Sequence, residues 1–156
     1  MTQHDAITLH DYQALAEFRY QLRRFVRFSE EAARAAGIEP QHPQLMLAIK
    51  GKPEGQEPRI AYLAERLQIQ HHSMVELVDR LVKKGLITRS RADEDRREVH
   101  VQLTTRGERT LGELTLHTRA ELRSAAPALA ATLRKLAGRA AGQRRGPRPT
   151  TATRLL

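Results

Sequence analysis

Between Arg59 and Gly85 the chain carries two short amphipathic helical patterns with almost nothing between them. The first places Ile60, Leu63, Ala64 and Leu67 on one face. The second places Met74, Leu77, Val78, Leu81 and Val82 at i, i+3, i+4, i+7 and i+8 without a gap. Only a few residues around Gln68-Ile69-Gln70 separate them, and two amphipathic helices joined by so short a turn form a helix-turn-helix. Gly85 follows the second pattern where a helix favours a left-handed terminal residue.

The periodicity then changes. Leu86-Ile87-Thr88-Arg89 is β-prone, and Glu98-Val99-His100-Val101-Gln102-Leu103 alternates apolar with polar at period two. The charged run from Arg91 to Arg97 lies between them, which predicts a hairpin with an exposed tip, a wing. Upstream, Leu15, Phe18, Leu22, Phe25 and Val26 form the stripe of a long helix over about Asp11–Ala36, stopped by Gly37. Pro40 and Pro43 frame a short connection to a helix over Gln44–Ile49, and residues 50–58 are turn-rich. Downstream, Thr105-Arg106-Gly107-Glu108 fits a capping box. The stripe Leu111, Leu114, Thr118, Leu122, Ala125, Leu129, Leu133 and Leu136 follows, and Pro127 is expected to divide it into two helices. Beyond Gly138 a segment rich in Gly, Pro, Arg and Thr predicts a disordered basic tail. The fold class is mainly α with a small β-hairpin wing, a winged helix-turn-helix flanked by N- and C-terminal helices.

Composition narrows the function. Of 156 residues 40% are hydrophobic but only 4% aromatic, so Leu, Ala, Val and Ile must fill the core. There is no cysteine, which excludes thiol redox sensing and every Cys-based zinc framework. No apolar run approaches the ~18 residues of a membrane span, and the N-terminus lacks a secretory pattern, so a soluble cytoplasmic protein without membrane partners is expected. Eight of the nine net positive charges lie after Glu121, so the body is nearly neutral. High basicity alone is therefore no argument for DNA binding, and local pattern must carry it.

That pattern resembles the MarR family. The resemblance rests on Leu77-Val78-Asp79-Arg80-Leu81-Val82-Lys83-Lys84-Gly85-Leu86-Ile87, then Asp95-Arg96-Arg97, then Val101-Gln102-Leu103-Thr104-Thr105-Arg106-Gly107, in matching order and spacing. It implies an N-terminal dimerisation helix over residues 1–40 and a winged-helix DNA-binding domain over 41–104. Within that domain the recognition helix would cover about 70–84 and the wing about 87–103. C-terminal dimerisation helices over 105–138 and the tail over 139–156 would follow. It also implies a dimeric repressor of transcription on a pseudo-palindromic duplex, with no catalysis and no cofactor.

With Met74 facing the core, the helical step turns His72, Ser73, Glu76, Asp79, Arg80 and Lys83 outward, with His71 and Val75 at the flank. The DNA-facing set is therefore His71, His72, Ser73, Val75, Glu76 and Arg80, with Val75 placed to touch a thymine methyl. Glu76 departs from the basic or neutral polar residue often found there in the family. It either accepts a hydrogen bond from cytosine N4 or costs affinity by repelling phosphate. Gln70 likewise replaces a better helix cap. From the wing, Arg91, Arg96 and Arg97 suit a narrow electronegative minor groove, although Asp93, Glu94, Asp95 and Glu98 make the tip locally neutral.

Phe18, Leu22, Phe25, Leu129, Leu133 and Leu136 are more apolar surface than a monomer of this architecture covers, which predicts a homodimer. Relatives in the family commonly respond to small anionic or phenolic effectors, for which Tyr20, Arg24 and His42 are the candidate lining groups. Adjacent His71 and His72 point about 100° apart and rarely share one ion, so no metal site is assigned; a metal-responsive regulator using histidines is the weaker alternative. No phosphate loop, nucleophile elbow or ligand spacing supports an enzyme. The rival from another class is a winged-helix module for protein association with weak DNA binding, suggested by the neutral body and by Glu76 and Asp79.

Overall fold

The computed structural model describes residues 7–91 and 99–142. Its elements run α1 (Leu9–Ala35), α2 (Gln41–Lys50), α3 (Ile60–Leu67), α4 (His71–Lys83), β1 (Ile87–Arg91), β2 (Val99–Leu103) and α5 (Thr105–Gly142). Two compact units result. One is Phe25–Leu122; the other comprises the residues up to Arg24 and those from Arg123.

The Phe25–Leu122 unit is built on the apolar stripes read from the sequence. Leu63 and Ala64 of α3 meet Met74, Leu77, Val78 and Leu81 of α4, and Leu45, Met46 and Ile49 of α2 close the cluster from the other side. Leu86, Ile87, Val101 and Leu111 complete it, so the hairpin and the start of α5 share the core of the helix-turn-helix. The turn between α3 and α4 is tight enough to force Gln68 into the left-handed region, φ 53°. A non-glycine residue there costs roughly 1–2 kcal/mol; the Ile69 N–H to Ala64 O bond (3.1 Å) closes the turn. At Gly85, φ 68°, the same conformation carries no such cost. The strands pair antiparallel from Ile87↔Leu103 to Arg91↔Val99, and His100 also bridges back to Arg59, just ahead of α3.

Several boundaries differ from expectation. Pro43 does not frame a connection but sits in the first turn of α2, which starts at Gln41. A first-turn N–H has no intrahelical acceptor, so proline loses nothing there. α1 begins two residues before Asp11, because Thr8 and Asp11 cap each other: Thr8 N–H donates to Asp11 Oδ2 at 2.8 Å. The cap of α5 is Thr104 rather than Thr105, its hydroxyl accepting from Gly107 N–H at 3.0 Å, and Glu108 turns instead to Lys50.

Pro127 does not divide the C-terminal stripe; it lies inside one helix of 38 residues. An interior proline costs about 3 kcal/mol. Around it stand Ala125, Ala126, Ala128, Leu129, Ala130 and Ala131, the strongest helix formers available, and they hold the helix through the missing bond. In the second unit Ala14 and Thr132 are buried, and the Thr132 hydroxyl donates to Ala128 O. The helix continues to Gly142, taking in the first four residues of the expected tail; residues 143–156 lie outside the described residues. No described helix is long and apolar enough to cross a membrane.

Candidate nucleic-acid interface

Burying Met74, Leu77, Val78 and Leu81 fixes the rotation of α4 and decides what its other face shows. His71, His72, Glu76 and Arg80 are exposed, while Ser73 and Val75 are half-buried at the edge. These six positions form one continuous outward surface. Gln70 makes no side-chain cap, so the first-turn N–H groups have no side-chain acceptor and remain open to an anion.

The charges along α4 are sorted by partners from other elements. Asp79 pairs with Arg89 of β1, Oδ1 to Nη1 at 2.5 Å, which ties the wing strand to the helix. Arg80 turns toward Glu39, Nε to Oε2 at 3.7 Å. Glu76 has no ion-pair partner among the described residues. The candidate wing residues Arg96 and Arg97, and the side chain of Arg91, lie outside the described residues.

His42, expected to line an effector site, is fully buried in α2. Its Nδ1 accepts the Glu39 N–H at 3.3 Å, so in the neutral ring the proton is on Nε2. That Nε2 has no hydrogen-bond partner, and Glu39 Oε2 lies 3.6 Å away. Burial pushes the His42 pKa below its usual value; Glu39 works against this, while Lys84 and Arg80 add to it. Tyr20 and Arg24, the other two expected lining groups, are exposed on α1 and stack on one another, the guanidinium carbon 5.9 Å from the ring centre.

A cavity of about 580 Å³ opens within the Phe25–Leu122 unit. Phe25, Val26, Leu47, Leu114 and Leu122 give it apolar walls, and Arg119 supplies its one cation. None of the three expected lining residues borders it. Residue-by-residue reading of the sequence missed it because its walls come from three helices far apart in the chain. Among the described residues no three metal-ligating side chains come together.

The docking of α5 onto the end of α4 holds the head together. Thr104 hydroxyl donates to Gly85 O (2.8 Å), Thr104 N–H to Leu86 O (3.1 Å) and Arg106 Nη1 to Lys84 O (3.0 Å). The carbonyls of the three residues that follow α4 are thereby satisfied.

Comparison with known proteins agrees with this architecture. Residues 36–98 match the MarR family model. AbsC, a MarR family transcriptional regulator from Streptomyces coelicolor, is 19% identical and superposes with a TM-score of 0.67 over 90% of this chain and 100% of its own. Wild-type apo MarR from E. coli, 20% identical, gives 0.64 over 88% and 98%. A mutant of MepR from S. aureus, solved bound to an oligodeoxyribonucleotide, is 19% identical and gives 0.58 over 76% and 82%. No curated protein matches the chain by sequence. The chain has the winged helix-turn-helix fold of the MarR regulators, and its segment 36–98 matches the MarR family.

Proposed function

We propose that this chain is a transcription regulator of the repressor type that binds a pseudo-palindromic duplex as a two-fold dimer. The observation that carries the reading is the outer face of α4. Its first two turns present His71, His72, Ser73, Val75 and Glu76 above an uncapped N-terminus, while a buried stripe locks the helix rotation. A recognition helix needs such a face, one side anchored and the other offering hydrogen-bonding groups to base edges. Arg80 then meets phosphate, and Arg91, Arg96 and Arg97 of the wing reach the minor groove. The same fold in the oligonucleotide-bound MepR mutant supports this arrangement.

The dimer follows from apolar surface. Leu15, Leu22 and Val26 of α1 and Leu116, Leu122 and Leu133 of α5 are all 39% or more exposed. Scattered surface leucines need no explanation, but a set along the two outer helices calls for a partner. Two heads about one helical turn of DNA apart would then face adjacent major grooves. A small anionic or phenolic effector fits the cavity beside Arg119 better than it fits the exposed Tyr20–Arg24 pair or the enclosed His42. Bound there, it would act by favouring a head spacing that cannot span both grooves.

The test is a fluorescence titration of the full chain with duplex from upstream of its own gene and with a scrambled duplex, near physiological salt. Preference for the native duplex at two chains per site supports the reading. Equal and salt-sensitive binding to both points to phosphate contact without sequence reading. No binding to either, extended to tiled genomic fragments, favours a protein-association module. Sedimentation at micromolar concentration checks the dimer, and a monomer there overturns that part.

A further inference from the structure

A glutamate on a DNA-reading helix is a liability unless something uses it. Glu76 is exposed in the second turn of α4, and its natural partner is Arg80, four residues on. Glu followed by a cation at i+4 is the favourable orientation for a helical ion pair. The pair does not form. Arg80 is drawn off the helix to Glu39, which precedes α2, Nε to Oε2 at 3.7 Å. Glu39 is itself fixed from two sides, its N–H donating to the buried His42 ring and the same Oε2 lying 3.6 Å from His42 Nε2. The next carboxylate along, Asp79, is occupied by Arg89. Tertiary contacts thus take up Arg80 and Asp79, the two charges that follow Glu76 on this face, and leave its carboxylate without an ion-pair partner among the described residues.

We propose that Glu76 is a specificity-determining residue that reads cytosine in each half-site, and that Glu39 is a positioning residue which keeps it free by holding Arg80 away. The proposal rests on the DNA-binding reading above. A carboxylate only accepts hydrogen bonds, so phosphate and the acceptor edge of guanine repel it. In the major groove the donors are cytosine N4 and adenine N6. Adenine sets the N7 acceptor beside its N6, whereas cytosine offers its own donor without an adjacent acceptor on the same base. Cytosine is therefore the preferred partner, and the duplex without it loses twice: no bond forms, and a buried carboxylate remains unpaired.

The experiment selects bound duplexes from a randomised pool with the full-length chain and sequences them. Glu76→Gln, Glu39→Gln, and Glu39→Gln combined with Arg80→Ala are run beside the unaltered protein. The unaltered chain should enrich cytosine about tenfold at one position of each half-site, in line with the usual cost of one mismatched pair. Glu76→Gln should move that single position toward adenine, which a carboxamide pairs with through N6 and N7. Glu39→Gln frees Arg80 to pair with Glu76 and should cut the cytosine preference by about twofold, the fold-change to which a helical ion pair of up to about 0.5 kcal/mol converts. Removing Arg80 as well should restore the preference while lowering affinity for all sequences, which a merely structural role for Glu39 would not produce.

An enriched site whose every position is unaffected by Glu76→Gln overturns the assignment of Glu76. Full cytosine preference in Glu39→Gln overturns the positioning role. If the unaltered chain enriches nothing, the DNA-binding reading itself fails, and the proposal with it.

Discussion

Substituting Gly107 with alanine should be among the most damaging single changes in the chain, although it adds one methyl group to a helix. Gly107 lies in the first turn of α5 against the backbone at the end of α4. A Cβ there would overlap the Leu86 carbonyl oxygen and stand 3.0 Å from its carbon. The oxygen would be more than ~1 Å inside the ~3.3 Å at which carbon and carbonyl oxygen touch. Neither side yields easily. Leu86 O already accepts the Thr104 N–H, and Thr104 also caps the helix through Gly107 N–H and reaches Gly85 O.

The first turn of α5 must therefore lift away from α4, straining or losing three bonds there worth about 0.5–1.5 kcal/mol each. Overpacking adds roughly 1–3 kcal/mol. Against this, Gly→Ala gains about 1 kcal/mol of helix propensity. The net loss is about 2–6 kcal/mol. It would be measured as the fall in the urea midpoint at unchanged slope. Gly112→Ala is the internal control. It lies in the same helix with nothing within 4 Å of an added Cβ, and should stabilise by up to about 1 kcal/mol. If Gly107→Ala is neutral, or gains stability as Gly112→Ala does, the close approach of α5 to Leu86 is wrong.

Three further outcomes follow from the same geometry. His42 is held neutral by burial, its pKa below the usual 6.5, so the unfolded chain binds its proton first as pH falls. The stability this neutral ring contributes is complete above the unfolded pKa and is lost as pH drops from about 6.5 through the lower folded value. Urea titrations from pH 7.5 to 5 should show that decline, and His42→Asn, which keeps an acceptor near Nδ1 but does not titrate, should flatten it. Asp79→Ala should cost less than about 1 kcal/mol of stability, because both partners are over 40% exposed, yet weaken DNA binding several-fold by untying the wing; equal binding would remove Arg89 from any role in placing β1. Leu77→Ala, at a fully buried position, should cost about 2–5 kcal/mol in the same assay, and a loss under 1 kcal/mol would contradict the assigned rotation of α4.

The parts of the fold legible in the sequence are those whose signal is local. Met74, Leu77, Val78, Leu81 and Val82 announce α4 because five apolar residues at helical spacing have almost no other use. Gly85 marks its end because few residues accept φ 68°. The hairpin follows from the change to period-two alternation before Leu103. What could not be read depends on partners distant in the chain. Pro127 looks like a break because the rule for proline is local, whereas survival of the helix depends on the alanines and buried Thr132 around it. In sequence Thr105 is the better cap, because Glu108 follows it at capping-box spacing. The approach of α5 to Leu86 selects Thr104, since its hydroxyl meets Gly85 O as well as Gly107 N–H. His42 is a polar residue between two prolines, and such residues are usually exposed. Its burial depends on elements packed against α2 from farther along the chain, which no local pattern announces.

The candidate site shows the same division at the level of charge. Helical geometry alone puts Glu76, Asp79, Arg80 and Lys83 on the outer face of α4, and from composition two carboxylates cancel two cations there, a poor match for DNA. The structure changes what those charges mean without moving them. Asp79 is neutralised by a strand residue ten positions on, and Arg80 is drawn off by a residue forty-one positions back. The acidity that favoured a protein-association module is thereby reduced to one carboxylate, placed where base edges would lie. Net charge along a reading helix is therefore a poor guide to its ligand. The deciding quantity is which charges remain unpaired after the rest of the fold has claimed its partners.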